Sequence, residues 1–259
     1  MTSPSNPVTL SPAHLAHLNA TLLGLEPHEI IRWAYITFPR LYQTTAFGLT
    51  GLVTVDIIAK LTRELQAPQH IIDLIFIDTL YHFPQTYDLV ASVQQKYHPK
   101  IHTYSPKGTS SEQEFVAKHG DQLWESNDSL YDFLVKVEPA QRAYKDLQVA
   151  AVLTGRRKSQ GGARGLLPVV EYEEATGIYK INPLCEWDFA RVKQYVDTHT
   201  VPYNVLLDLG YKSIGDWHST VAVAEGEDER AGRWKGQAKT ECGIHVTSQF
   251  SQYLQGTKT

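Results

Sequence analysis

The sequence predicts an α/β fold: a doubly wound, mostly parallel sheet flanked by helices. Three observations carry this. Residues 71–77 are a near-continuous apolar run, as a parallel strand covered on both faces requires. Strand and helix patterns alternate between residues 41 and 104. Polar turns follow the strand candidates at 44–48, 78–79 and 154–164, and open α/β sheets bind ligands at the carboxyl ends of their strands.

Ser11 caps a helix with Leu15, Leu18 and Leu22 on one side, and Pro27 opens a second with Ile30, Ile31, Trp33 and Ala34 as its packing face. Phe38-Pro39 ends that helix, so residues 1–40 read as a helical layer. The α/β domain spans 41–219. Strand 41–46 and the Phe47-Gly48 turn lead to a helix with Leu49, Val53, Ile57, Leu61 and Leu65 at spacing four. Strand 71–77, a helix from Pro84 to about Tyr97, and strand Ile101–Tyr104 follow. Helices are expected over 111–119 and 129–147, the latter kinked or divided at Pro139. Strand 149–153 precedes a basic, glycine-rich loop. Residues 169–172 and 178–181 suit a hairpin across Gly177. Residues 187–196 read as a helix packing Phe189, Val192 and Val196, and 205–209 as a short one ended by Gly210. Residues 220–259 are polar and glycine-containing, and read as a mobile arm.

Composition excludes several classes. A net charge of −4 over 259 residues argues against general nucleic-acid binding. Two cysteines make no disulfide scaffold and cannot supply the four thiolates of an iron–sulfur cluster. No basic-then-apolar leader opens the chain and no apolar run reaches membrane length, so a soluble, cytoplasmic setting is expected.

The chemistry gathers at four places. Thr44, Thr45, Phe47 and Gly48 form a strand–helix turn whose hydroxyls and free N–H groups suit a phosphate or sulfate; it lacks the Lys-Ser/Thr pair of a Walker A loop. Asp78, with Thr79, takes a ribose or adenine donor or else caps the next helix. Arg156, Arg157, Lys158 and Arg164 put four cations within nine residues, alongside Gly155 and Gln160, which favours anion binding. His218, Arg230, Arg233, Trp234, Lys235 and Lys239 then lead to Cys242. A thiol beside Lys239 and His245 can be a nucleophile, although Glu241 opposes thiolate formation.

From about Thr44 to His245 the chain resembles the phosphoadenylyl-sulfate (PAPS) reductases of sulfate assimilation, fungal type. The matching motifs are Glu-Cys-Gly-Ile-His at 241–245, Thr-Ala-Phe-Gly at 45–48, Ile-Asp-Thr at 77–79, Phe-Pro-Gln-Thr at 83–86, and Thr-Gly-Arg-Arg at 154–157 with Gln160. Ser-Ile-Gly-Asp at 213–216, Gly-Glu-Asp at 226–228 and Arg-Ala-Gly-Arg-Trp at 230–234 complete the set. Leu80 stands where many relatives have glycine, and Gln85 where glutamate is frequent. The resemblance implies the adenine nucleotide alpha hydrolase-like fold with a modified PP-loop at 45–48.

It also implies a reaction: PAPS plus reduced thioredoxin gives sulfite, adenosine 3′,5′-bisphosphate and oxidised thioredoxin. Cys242 is then the nucleophile, forming an S-sulfonate. The cations named above hold the anions, and His245 depresses the thiol pKa or holds the sulfonate. Related adenylyl-sulfate (APS) reductases carry an iron–sulfur cluster on a Cys-Cys pair and a Cys-x-x-Cys. Here Tyr131-Asp132 stands in place of the first, and Asp216 and Ser219 in place of the second. Neither cluster nor flavin nor metal is expected, and a homodimer is. The other readings are a PP-loop adenylating enzyme using ATP, an APS-specific reductase, or an idle adenine-nucleotide binder.

Overall fold

The computed structural model of the chain describes residues 10–236, 239, 241–245, 250 and 253. Its sheet comprises β1 (Leu41–Thr45), β2 (Asp73–Ile77), β3 (Ile101–Tyr104), β4 (Ala151–Leu153), β5 (Val170–Glu173) and β6 (Ile178–Ile181). The strand order is β3-β2-β1-β4-β6-β5. All neighbours are parallel except β5 and β6. The chain moves outward from β1 to β3 and then returns to the other side of β1. The order therefore reverses between β1 and β4, and a crevice opens beyond their carboxyl ends.

The helices are α1 (Pro12–Leu22), α2 (Pro27–Thr37), α3 (Leu49–Glu64), α4 (Pro84–Tyr97), α5 (Glu112–His119), α6 (Leu123–Ser126), α7 (Asp128–Asp132), α8 (Glu138–Asp146) and α9 (Phe189–Thr198). Two core clusters sandwich the sheet. Leu74 and Phe76 of β2 join one, with α2, α3 and α9; Ile75 and Ile77 join the other, with α8. That is why β2 is apolar continuously from Leu74 to Ile77 rather than alternating. α3 is buried on more than the expected stripe: Leu52, Val55 and Ile58 are also buried, because α2 and α9 cover its outer side. The N-terminal helices share this core. Asn19 of α1 exchanges two hydrogen bonds, both 2.8 Å, with the Val170 backbone, occupying the edge of β5.

The structure sharpens two local expectations and moves one helix start. The helical run after Asp128 is divided just before Pro139. A single wide turn over Phe133–Val137 joins α7 to α8, with the Glu138 N–H reaching the Phe133 carbonyl five residues back. Proline has no N–H to give its fourth predecessor, and the wider turn accommodates this loss. α9 begins at Phe189 because Asp188 caps it, accepting the Arg191 N–H at 2.7 Å. β6 joins the central sheet beside β4, which leaves its hairpin partner β5 at the edge. The arm expected over 220–259 lies partly outside the described residues. Its described start is bridged at Thr220 and Arg233.

Candidate active site

The turn after β1 is held by its own side chain. Thr45 Oγ1 accepts the Phe47 N–H at 2.9 Å, while Phe47 takes a left-handed backbone (φ 56°) and packs its ring on Phe76. Gly48 caps α3 without offering a side chain, so no protein oxygen from the cap occupies the first-turn N–H groups. Those groups line a cavity together with Thr44, Gly155 and the loop after β4. It is a ready anion site, since partial positive charge gathers at a helix N-terminus.

The loop after β4 is less bare than its sequence suggests. Arg156 bonds Glu171 and Thr154; burial, then Arg164, bring its pKa down to about 10. Arg157 is almost wholly buried, and all five of its donors are engaged by Thr50, Ser159, Trp187 and Glu229. It is a strut joining α3 to the segment near Glu229, not a free gripping group. Arg164 pairs side-on with Glu241 at 2.5 and 2.6 Å and also bonds Gln160. Lys180 on β6 meets Glu173 at 2.5 Å and the Ile244 carbonyl at 3.1 Å.

Cys242 lies in the same wall with Ile244 and His245. Glu241 bonds the Cys242 N–H at 3.0 Å and lies 3.7 Å from Arg230, so its carboxylate is part of the anion site's charge balance. Burial pushes the Cys242 thiol up and Asp132 adds to this; Lys136 and Arg233 oppose it. His245 supplies no cation to the thiol. Burial, then Arg156, Arg164, Lys180 and Arg230, hold its imidazole well below the usual range, and its buried Nδ1 has no protein partner.

Several expected residues are placed elsewhere. Asp78 neither caps α4 nor lines the cavity; it accepts from the Leu80 N–H (2.9 Å) and the Tyr87 hydroxyl (2.8 Å). Leu80 sits at φ 69°, a conformation glycine adopts without cost. Thr79 does line the cavity, donating to Asp216 at 2.6 Å. His218 is stacked flat on Trp124, with Nε2 2.9 Å from the Tyr131 hydroxyl, and lies outside the cavity wall. Lys235 is exposed. Lys239 pairs with Asp128 at 2.9 Å and Asp132 at 2.8 Å. Arg230, Arg233 and Trp234 line the cavity, with the Arg233 guanidinium 4.5 Å from the Trp234 ring centroid.

Sequence reasoning missed Lys136, Asp132 and Asp216. Lys136 is fully enclosed and bridges Asp132 at 2.9 Å and Asp216 at 2.7 Å. Burial pulls the ammonium down, but the two carboxylates outweigh it and raise it. The available signal was a lone lysine in Phe-Leu-Val-Lys-Val, an otherwise apolar stretch.

Gly215 is where the arginine side of the cavity is most constrained. A Cβ there would overlap the Arg233 guanidinium. Gly215→Ala is expected to displace that group, weaken phosphate binding in the cavity by roughly tenfold and cost about 1–3 kcal/mol of stability. Titration calorimetry and urea unfolding read the two effects; unchanged affinity would remove Arg233 from the anion site.

A mostly parallel sheet whose switch point gathers helix N–H groups and arginines fits the adenine nucleotide alpha hydrolase-like class that the sequence motifs imply. Within that class, residues 40–222 match the model of the phosphoadenosine phosphosulfate reductase domain. A Saccharomyces cerevisiae protein named phosphoadenosine phosphosulfate reductase is 58% identical over 255 residues, 96% of each chain. A Halalkalibacterium halodurans adenosine 5′-phosphosulfate reductase is 35% identical over 233 residues, 90% of this chain and 96% of that one. The crystal structure of phosphoadenylyl-sulfate (PAPS) reductase from Candida auris, a phosphate complex, is 65% identical with a TM-score of 0.76. It covers 83% of this chain and 100% of its own. The chain belongs to the phosphoadenosine phosphosulfate reductase family and is an oxidoreductase.

Proposed function

We propose that this chain reduces 3′-phosphoadenylyl sulfate to sulfite and adenosine 3′,5′-bisphosphate, with a thioredoxin dithiol as reductant and a Cys242 S-sulfonate as intermediate. The observation that carries the reading is that Cys242 lines one cavity together with Arg156, Arg164, Arg230, Arg233 and the first turn of α3. A thiolate and a sulfonate repel each other, and cations that need not reorganise offset that repulsion.

In the first step Cys242 Sγ attacks the sulfonate sulfur. A sulfur–sulfur bond forms, the sulfur–oxygen bond breaks, and the nucleotide departs on its 5′-phosphate. An arriving anion competes with Glu241 for Arg164, so binding redistributes the arginine charge toward substrate. In the second step a thioredoxin thiolate attacks Cys242 Sγ and releases sulfite; its second thiol resolves the mixed disulfide and regenerates Cys242. The dithiol loses two electrons, and the sulfur of the sulfonate gains them.

The chain's two cysteines provide no donor set for a four-thiolate cluster; Asp132 and Asp216 share Lys136 instead. No step here uses a metal or flavin. No helix among the described residues is long and apolar enough to cross a membrane. A cytoplasmic setting, a homodimer, and an arm that swings out to admit thioredoxin complete the reading.

Turnover of 3′-phosphoadenylyl sulfate is expected to exceed that of adenylyl sulfate by roughly 100-fold, since a charge-assisted contact to the 3′-phosphate carries up to about 3 kcal/mol. Sulfite release with each nucleotide under thioredoxin recycling measures it. Preference for adenylyl sulfate would overturn the assignment, and ATP turnover without 3′-phosphoadenylyl sulfate would favour an adenylating enzyme.

A further inference from the structure

We infer that Asp132 is a positioning residue, a latch that seats the Cys242 segment over the cavity; its catalytic significance rests on the reading of Cys242 as nucleophile. Its carboxylate is only 2% exposed, and its two oxygens are divided among three donors. Oδ1 receives Lys136 Nζ at 2.9 Å, from its own helical run. Oδ2 receives two donors from the cysteine segment, one on each side of Cys242: Lys239 Nζ at 2.8 Å and the Gly243 N–H at 3.2 Å. Lys239 also grips Asp128, at 2.9 and 3.1 Å, so the segment is clamped to α7 at two points.

The seat is shaped for this segment. The short turn Gly243–His245 packs on the wide turn Phe133–Val137. A Cβ on Gly243 would come within 2.9 Å of Val137 Cγ2 and 3.1 Å of Asp132 Oδ2, so only glycine lets the backbone come this close. Lys136 in turn bridges to Asp216 at 2.7 Å, and Asp216 holds Thr79 and Tyr131. The latch is thereby anchored to the turn after β2.

Burial pushes Asp132 up, but Lys136 and Lys239 outweigh it and keep it ionised. The thiol feels Asp132 and, in the opposite sense, Lys136 and Arg233; Lys180, Tyr144 and Arg230 also face it electrostatically. The latch therefore holds the sulfur in place at the expense of a higher thiol pKa. Opening the latch removes both constraints together, and an external thiol needs that same exposure.

The test compares Asp132→Asn and Lys239→Met with the unaltered full-length chain. Each is treated with small iodoacetamide and with a bulky maleimide at one pH, and modification is read separately at Cys242 and Cys185 by peptide mass. The ratio of the two rates cancels the thiolate fraction and reports access alone. The ratio at Cys242 is expected to rise roughly tenfold in both variants, as loss of a charge-assisted contact allows. Cys185, buried in the main core, is expected to stay protected and so reports global unfolding. The alkylation midpoint of Cys242 in Asp132→Asn is expected to move down in pH, because a carboxylate that raises it is gone. The double variant should open less than the two single effects combined, since after Asp132→Asn only the Lys239–Asp128 contact remains for Lys239→Met to remove. Sulfite release should fall mainly in kcat, with nucleotide KM little changed.

An unchanged Cys242 ratio in Lys239→Met, which leaves the buried Lys136–Asp216 pair intact, would overturn the latch whether or not Asp132→Asn folds. So would a parallel rise at Cys185 in both variants. If the unaltered protein took up no sulfonate from 3′-phosphoadenylyl sulfate, the nucleophile reading would fail while the alkylation result still decided the latch.

Discussion

Cys242→Ser is expected to abolish sulfite release, by a factor of at least about 10⁴, and to leave the mass of the protein unchanged after mixing with 3′-phosphoadenylyl sulfate. The unaltered chain, mixed in the absence of thioredoxin, is expected to gain one sulfonate. Serine is nearly the same size, so the seat on the Phe133–Val137 turn and the Gly243 contact to Asp132 should survive. What is lost is ionisation. A serine hydroxyl needs a base beside it, and His245, which shares the cavity, is held neutral among four cations that would oppose its taking a proton. A thiol needs no such partner, because Lys136 and Arg233 partly offset the burial that raises its pKa. Continued sulfite release by the variant would eliminate Cys242 as the nucleophile. Nucleotide binding without any adduct on the unaltered protein would favour an idle binder.

Arg157→Ala is expected to be the largest stability defect among the cavity residues, about 3–5 kcal/mol in urea unfolding. Arg157 and Glu229 are 2% and 8% exposed at their side chains, and Glu229 accepts both contacts, at 2.6 and 2.7 Å, from Arg157 Nη2. Removing the arginine strands a buried carboxylate and takes a donor from Thr50, while Ser159 and the Trp187 carbonyl keep their own 3.1 Å hydrogen bond. The reciprocal Glu229→Gln should cost less, since the amide oxygen can still accept from Arg157. Arg164→Ala provides the contrast: Glu241 retains Arg230 nearby, so the main loss should be substrate affinity. A stability change below about 1 kcal/mol in Arg157→Ala would mean that this ion pair is not a strut.

Much of the architecture was legible in local pattern. Pro84 and Ser111 mark helix starts, residues 71–77 mark a doubly covered strand, and Gly210 ends a short helix, because caps, prolines and apolar runs act within a few residues of themselves. The wide turn before Pro139 was less legible. The proline announces a disturbance, but whether the helix breaks or widens depends on the tertiary seat it must form. Strand order was also hidden: β4 joining β1, and β6 slipping between β4 and β5, are choices among distant partners. In the site, sequence reasoning gathered the cations but not their counterions. Glu171, Glu173, Glu229 and Glu241 sit at sequence distances that no local spacing rule covers. Glu241, which by its position alone argued against a reactive thiol, proves to face Arg164 and Arg230 rather than act on the sulfur directly.

The alternation of strands and helices, the turns at the strand ends, the cysteine amid basic motifs near the C-terminus and the shortage of cysteine for a cluster are all written in the order of residues. These are properties of residue type and short-range spacing. Which charges meet is settled by folding. It made Arg157 a strut, His245 a neutral ring, Glu241 a counterion and Asp132 the seat of the Cys242 segment. The reason is physical: a pKa and an ion pair depend on burial and on neighbours a hundred residues away, and neither is set until the sheet reverses at β1 and β4 and the chain closes over that crevice.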